Sequence, residues 1–249
     1  MIKETLIAIS LFANVSLSSL GVTPSASMAA EKQIMAYEEL DLTNRIPNYP
    51  DGNQIFADNI LLSLHYLKGD VEEFRVSEEI ASSSFDKLRI SRNDDKTING
   101  PKNIDWEKVR TPFDVSFTLK SGEVFAYHNN VLEEYKGKVS YSMNSRFYVE
   151  EGYKSLNGLG GNGVCHLASL INWVSKDGGL EVVSHVNHDF SPVNGVPREY
   201  GSSIFYAPSG QNSQEQNLYI KNNLDYPIRF DFKVDEKKVA LSISKISND

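Results

Sequence analysis

Apolar and polar positions follow a helical period most clearly in the segment 164–175. The apolar residues there recur at intervals of three and four positions, which places them on one face of a helix. They are Val164, Leu167, Leu170, Ile171 and Val174. Gly178 and Gly179 follow this segment and supply a helix stop. The pattern predicts a helix that begins directly after a glycine-rich stretch at 160–163.

The remaining patterns predict one more helix and several strands. Residues 59–67 are an apolar run with a short helical pattern, and residues 180–188 read as a strand. Residues 226–234 and 238–246 alternate between apolar and polar types on either side of a charged turn, which is typical of a β-hairpin. These elements indicate an α+β fold with a mainly antiparallel sheet, on which the helix after the glycines packs.

The N-terminal segment predicts export. Lys3 precedes an uncharged, mostly apolar stretch from Leu6 to about Val22, and small residues follow up to Ala30. This order is typical of a secretory signal peptide at 1–30, and it favours cleavage over retention as a membrane anchor. We therefore expect a secreted or cell-wall-associated protein without stable membrane insertion after cleavage.

Two regions follow the predicted signal peptide. Residues 31–112 form an N-terminal region with the short helix, and they include a charged, Ser-rich stretch at 70–112 that we interpret as a solvated insertion. Within it, residues 92–103 are predicted to be an exposed loop. Residues 113–249 form the main domain, and their pattern does not indicate an oligomeric state.

Charge and cysteine content narrow the function classes. The net charge is −8 with one cysteine among 249 residues. This charge disfavours nucleic acid and anionic lipid as partners. A single cysteine excludes an internal disulfide, and an unpaired thiol in an exported protein is a candidate for reactivity. No cofactor motif is present, so no cofactor is predicted.

Cys165 is the candidate nucleophile. It lies in GGNGVCH at 160–166, in the first turn of the predicted helix. The unpaired N–H groups and the positive dipole end of a helix N-terminus favour a thiolate and predict a lowered pKa. The glycines are expected to let substrate approach closely. The alternative interpretation is a buried cysteine that acts as a small hydrophobic residue.

Two histidines are candidate partners of the thiol. His185 and His188 lie in the predicted strand after the helix, an order similar to that of papain-like and transglutaminase-like folds. Because strand side chains alternate, only one of them can point at the helix. His188 is preferred since it ends the strand and precedes Asp189, whose carboxylate could orient the imidazole. For either histidine, a satisfied polar residue at a sheet edge is the alternative.

The other histidines have no predicted catalytic role. His166 follows Cys165 and is interpreted as a flanking or substrate-side residue, and His65 and His128 are interpreted as structural. The spacing of the single cysteine and the histidines does not match that of a zinc site, so no metal is predicted.

The chain resembles the VanW family, which is named for an accessory protein of B-type vancomycin-resistance clusters. The matching segments are GGNGVCHLASLINWVS (160–175), HVNH (185–188), YGSSIFY (200–206) and NLYIKNNLDYPIRF (217–230), with SGEVFAY (121–127) and EEGYKSLNG (150–158) upstream. They cover about half of the chain. Asn162 interrupts the family's glycines, and His166 stands where glutamine is common.

This resemblance implies an exported cell-wall protein of Gram-positive bacteria. It also implies a cysteine L,D-transpeptidase that acts on peptidoglycan stem peptides through Cys165, with His188 or His185 as base and backbone N–H groups at 163–166 around the oxyanion. Two alternatives remain open: a non-catalytic cell-wall or glycopeptide-resistance accessory protein, and a papain-like peptidase of wall peptides.

Overall fold

The computed structural model describes residues 33–43, 52–76, 98–99, 103–156, 159–189, 191–207, 212–235 and 237–246. The predicted signal peptide lies outside these residues. The described helices are α1 (Gly52–Lys68), α2 (Trp106–Val109) and α3 (Val164–Asp177). The strands are β1 (Gln33–Asp41), β2 (Ile98–Asn99), β3 (Phe113–Leu119), β4 (Val124–Ala126), β5 (Val139–Ser142), β6 (Ser155–Leu156), β7 (Leu159–Gly160), β8 (Glu181–Val183), β9 (Tyr219–Lys221), β10 (Ile228–Val234) and β11 (Lys238–Lys245).

The largest sheet is antiparallel and has the strand order β1-β11-β10-β3. The predicted hairpin is confirmed, since β10 pairs with β11 from Ile228 opposite Lys245 to Val234 opposite Val239. Along β10 every second residue is buried, from Ile228 to Val234, and this face packs into the core. The strand β1 comes from the region 31–112 and completes this sheet by pairing with β11.

A second sheet has the order β5-β4-β9-β8. Its β4–β5 pair is parallel and its other pairs are antiparallel. The strand predicted at 180–188 is wrong beyond Val183, where β8 ends. The chain leaves this sheet because the Ser184 hydroxyl pairs with the Ser202 hydroxyl and the Val186 carbonyl accepts from the Ser203 N–H. The described part of the chain is therefore α+β, as predicted.

The helix α3 begins where it was predicted to begin, and it packs against the large sheet and against α1. Its apolar face is buried, and α3 contacts β1, β11 and α1. The helix α1 is longer than predicted, because the charge of Asp58 is compensated by Arg110 and Lys154 within the fold. Among the described residues no helix combines the length and apolar composition needed to cross a bilayer.

The region 31–112 contributes to the same core as 113–249. Within its part 70–112, the described residues place five apolar side chains in the core: Val71, Phe74, Ile104, Trp106 and Val109. The interpretation of 70–112 as solvated insertion is thus wrong for these positions. The predicted loop at 92–103 lies mostly outside the described residues, but Ile98–Asn99 form β2 and pair with β6.

Candidate functional site

The glycine-rich turn before α3 is closely packed. Gly163 is the residue before the first helical turn and has φ 105°, a conformation that favours glycine. A Cβ on Gly163 would lie 2.5 Å from the Phe56 carbonyl oxygen of α1, and a Cβ on Gly161 would lie 2.9 Å from the Cβ of Phe147. These two glycines therefore accommodate α1 and Phe147, rather than leaving the room for substrate that the sequence suggested.

The thiol of Cys165 contacts the backbone of Ile204. The Ile204 N–H donates to Sγ at 3.3 Å, and the thiol donates to the Ile204 carbonyl oxygen at 3.7 Å. The residue keeps part of its surface exposed, whereas its sulfur is desolvated by this packing. Burial raises the pKa of the Cys165 thiol to about 11, and the N–H groups of Ile204 and Cys165 oppose that rise. The lowered pKa predicted from the helix N-terminus is therefore wrong.

The segment 200–206 holds Ile204 at the thiol. The Ser202 N–H donates to the Ser169 hydroxyl at 2.9 Å, and this hydroxyl donates to the Cys165 carbonyl oxygen at 2.7 Å. Ser202 also pairs with the Ser184 hydroxyl at 2.8 Å. This network joins the segment to α3 and to the chain after β8. The sequence did not reveal Ile204 as a neighbour of the thiol, since the contact uses only its backbone.

The two candidate histidines have different surroundings. His188 is buried, and its Nδ1 lies 2.8 Å from the Ser191 carbonyl oxygen. Because a carbonyl oxygen only accepts, Nδ1 of His188 carries a proton and donates in this contact. Nδ1 of His188 therefore donates to the Ser191 carbonyl oxygen, and not to the carboxylate of Asp189 as the sequence suggested. His185 has an exposed side chain and pairs with Glu215 at 3.2 Å.

His166 joins His188 to the first turn of α3. The two imidazole centroids are 6.1 Å apart, and the His166 ring also meets the Phe56 ring edge-on at 5.1 Å. Burial, and then His188, lower the pKa of His166 to about 4, so its ring is neutral at pH 7. Its Nδ1 has no hydrogen-bond partner within the part of the chain that is described. The sequence gave His166 only a flanking role, although its adjacency to Cys165 was visible.

The first turn of α3 thus holds a protonated thiol and the His166 ring, and the His188 ring lies next to that of His166. The described hydrogen bonds of the thiol go to Ile204, so the papain-like pairing of Cys165 with a histidine is not confirmed. The oxyanion donors expected at 163–166 are partly engaged, since the Val164 N–H donates to the Gly161 carbonyl and the His166 N–H to the Gly163 carbonyl. Across the described ranges, no group of three or more His, Cys, Asp or Glu residues is arranged to hold a metal ion. This set of side chains is suited to nucleophilic and acid–base chemistry once the thiol loses its proton.

We expect the alkylation of Cys165 by iodoacetamide to report the raised pKa directly. With a pKa of about 11, the rate should rise about tenfold per pH unit from pH 7 to pH 10, because only the thiolate reacts. Mass spectrometry of the modified protein measures this rate. The control is the urea-unfolded chain, whose alkylation rate should level off near pH 9. A plateau below pH 8 in the folded protein would show an activated thiolate instead.

Comparison with known proteins gives one match. The family model described as "VanW like protein" matches residues 115–244, which is more than half of the 249 residues. No curated protein and no solved structure matches the chain. The matched residues include Cys165, His166, His185, His188 and Ile204, whereas β1, α1 and α2 precede them.

Proposed function

We propose, from the premise that the chain belongs to the VanW-like family, that it is an exported cell-wall protein with cysteine acyltransferase activity. Its substrates would be peptidoglycan stem peptides and its reaction of the L,D-transpeptidase type. The single observation that carries the proposal is that Cys165 lies in the first turn of α3 next to His166, whose ring centroid is 6.1 Å from that of His188. A thiol and a neutral imidazole at such a position are the parts that acyl transfer needs.

The proposed reaction has two balanced steps. In the first, Nε2 of His188 takes the Cys165 proton, and Sγ attacks the acyl carbonyl of the donor stem. A C–S bond forms, the C–N bond to the terminal D-alanine breaks, and the leaving amine takes the proton back. In the second, the amine of an acceptor stem attacks the thioester, the C–S bond breaks and the thiol is restored.

The raised thiol pKa defines what substrate binding must accomplish. At pH 7 the Cys165 thiol is protonated, so the base must remove the proton as the attack begins. The Ile204 N–H is the donor in place to stabilise the resulting thiolate, since it already donates to Sγ. In this proposal, the bound acyl group displaces the sulfur from the Ile204 carbonyl while the N–H contact persists.

A stem tetrapeptide tests the proposal. On incubation with the protein we expect release of D-alanine and an intact-protein mass that increases by the acyl tripeptide. Addition of an acceptor stem amine should then yield a cross-linked peptide and free enzyme. A free tripeptide in place of the cross-linked product would identify a papain-like hydrolase, in which water is the acceptor. If no D-alanine is released and the protein mass does not increase, the enzymatic proposal is overturned.

The alternative is a non-catalytic accessory protein that binds wall peptides at the same surface. One observation favours it, namely the buried thiol that already has a backbone partner in Ile204. A binding protein would show saturable stem-peptide binding by calorimetry with no D-alanine release.

Alanine variants of the two candidate histidines show which of them acts as the general base. We expect His188→Ala to slow D-alanine release at least about 100-fold, because general-base catalysis is lost. His185→Ala should change the rate less than about twofold, since a surface ion pair contributes little. Single-turnover rates of D-alanine release provide the measurement. Equal losses in both variants would contradict the assignment of His188.

A further inference from the structure

The helix α1 lies directly behind the Cys165 turn, although it precedes the residues that match the family model. The closest approach is between backbones, since a Cβ on Gly163 would lie 2.5 Å from the Phe56 carbonyl oxygen and 3.0 Å from the Phe56 Cα. The Phe56 ring also packs edge-on against the His166 ring, with the two ring centroids 5.1 Å apart. Phe56 of α1 therefore approaches both Gly163, two positions before Cys165, and His166, the residue after it.

Asn59 fixes the turn through a fully buried amide. Its Nδ2 donates to the carbonyl oxygens of Asn162 and Lys154, both at 2.9 Å, and its Oδ1 accepts from the Lys154 N–H at 2.8 Å. Asn59 is 0% exposed, so each of these bonds satisfies a group that water cannot reach. The side chain thus joins α1 to the turn at 161–163 and to the chain that approaches it.

A buried charge cluster prevents α1 from shifting. Asp58 is 0% exposed and accepts two hydrogen bonds from Arg110, at 2.8 and 2.9 Å, and one from Lys154. The Lys154 ammonium also lies 4.1 Å from the centre of the Trp106 ring. Because a buried carboxylate needs its cations, α1 is held in register with α2 and with the chain before the glycines.

We infer that α1 is part of the Cys165 site and that Asn59 is its positioning residue, which holds the turn at 161–163 and thereby keeps the sulfur packed against Ile204. The inference deepens the proposed function and rests on it for the catalytic consequence alone. The packing of the thiol can be measured without any wall substrate. The active unit would accordingly include α1, and the matched residues 115–244 would lack the support of their nucleophile.

Thiol reactivity tests this inference in Asn59→Ala. Loss of the amide should loosen the turn and admit water to Sγ, which moves the thiol pKa from about 11 toward its ordinary value of 9.0. The thiolate fraction at pH 8 would rise as much as about 100-fold, partly offset by the lower nucleophilicity of a less basic thiolate. We expect reaction with a neutral pyridyl disulfide to accelerate about tenfold.

Ser63→Ala is the matched control. Ser63 lies one turn further along α1 and is also fully buried, but its hydroxyl contacts the Asn59 carbonyl and the Tyr153 hydroxyl, not the glycine turn. We expect both variants to unfold at a lower temperature than the wild type. The rate of reaction with the pyridyl disulfide should change less than about twofold in Ser63→Ala. If Asn59→Ala does not fold, Asn59→Ser replaces it, with an expected rise of about threefold.

Three results would overturn the inference. The Asn59 variant could react with the pyridyl disulfide at the wild-type rate, it could react more slowly than wild type, or Ser63→Ala could show an equal rise in this rate. Failure of the proposed function gives a different pattern. Wild-type protein would then release no D-alanine from a stem peptide, while the disulfide rates of the variants would still differ. If both proposals hold, Asn59→Ala gains disulfide reactivity and loses D-alanine release, opposite changes that destabilisation alone does not produce.

Discussion

Replacement of Cys165 by serine should reduce D-alanine release from a stem tetrapeptide by at least about 10³-fold. A serine hydroxyl is far less acidic than a thiol, so removal of its proton by the proposed base His188 is much less favourable in a site arranged for a thiol. The substitution is nearly isosteric, and the serine oxygen can still accept from the Ile204 N–H. Binding of the stem peptide, measured by calorimetry, should therefore remain within a few-fold of wild type.

The controls for this variant are its stability and its mass spectrum. Thermal unfolding of Cys165→Ser should be close to that of the wild type, and no acyl-protein should accumulate. Release of D-alanine at the wild-type rate would show that the cysteine is a small buried residue without a chemical role. In that case the release would not pass through a thioester at Cys165, and the proposed mechanism would be overturned.

The second large effect is expected from Gly163→Ala, which should destabilise the fold by at least about 3 kcal/mol. Two causes add up at this position. The backbone has φ 105°, which strains any L side chain, and the new Cβ would lie 2.5 Å from the Phe56 carbonyl oxygen. Since the clash is with backbone, α1 and α3 must separate to relieve it. Thermal unfolding should then occur about 6–12 °C lower.

Gly179→Ala separates these two causes. Gly179 also has a positive φ, of 75°, but a Cβ there would meet nothing within 4 Å. This variant should therefore show only the conformational cost, of about 1–2 kcal/mol. Equal losses in Gly163→Ala and Gly179→Ala would mean that the approach of α1 to the turn contributes nothing to stability.

The pKa of the thiol shows why a local rule gave the wrong direction. A helix dipole contributes about 0.3–1 kcal/mol near its end, which is less than a tenfold change in an ionisation constant. Burial of the sulfur against Ile204 is the larger effect, because the thiolate loses its hydration. The dipole follows from the position of Cys165 in the helix, whereas the burial depends on a segment 39 residues away.

The surroundings of the two candidate histidines also depend on contacts that are distant in sequence, because these contacts decide where strand β8 ends. The alternation of residues 180–188 resembles that of a strand, yet pairing ends at Val183 because Ser184 and Val186 bond to the segment 200–206. The preference for His188 rested on its place at the strand end and on Asp189, but the strand ends at Val183 and does not reach His188. His188 lies beside His166 through the irregular path of this chain, and only the experiment on both histidines tests its role.

By itself, the amino-acid sequence determined the elements whose signals are local. The helix α3 and the hairpin of β10 and β11 follow from side-chain periodicity and from the glycines or charges that end each run, and the motif around Cys165 indicated the family. Tertiary structure alone decided the surroundings of the sulfur. The Asn59–Asn162 bond joins residues 103 positions apart, and such contacts depend on how whole elements pack, which periodicity along the chain does not encode.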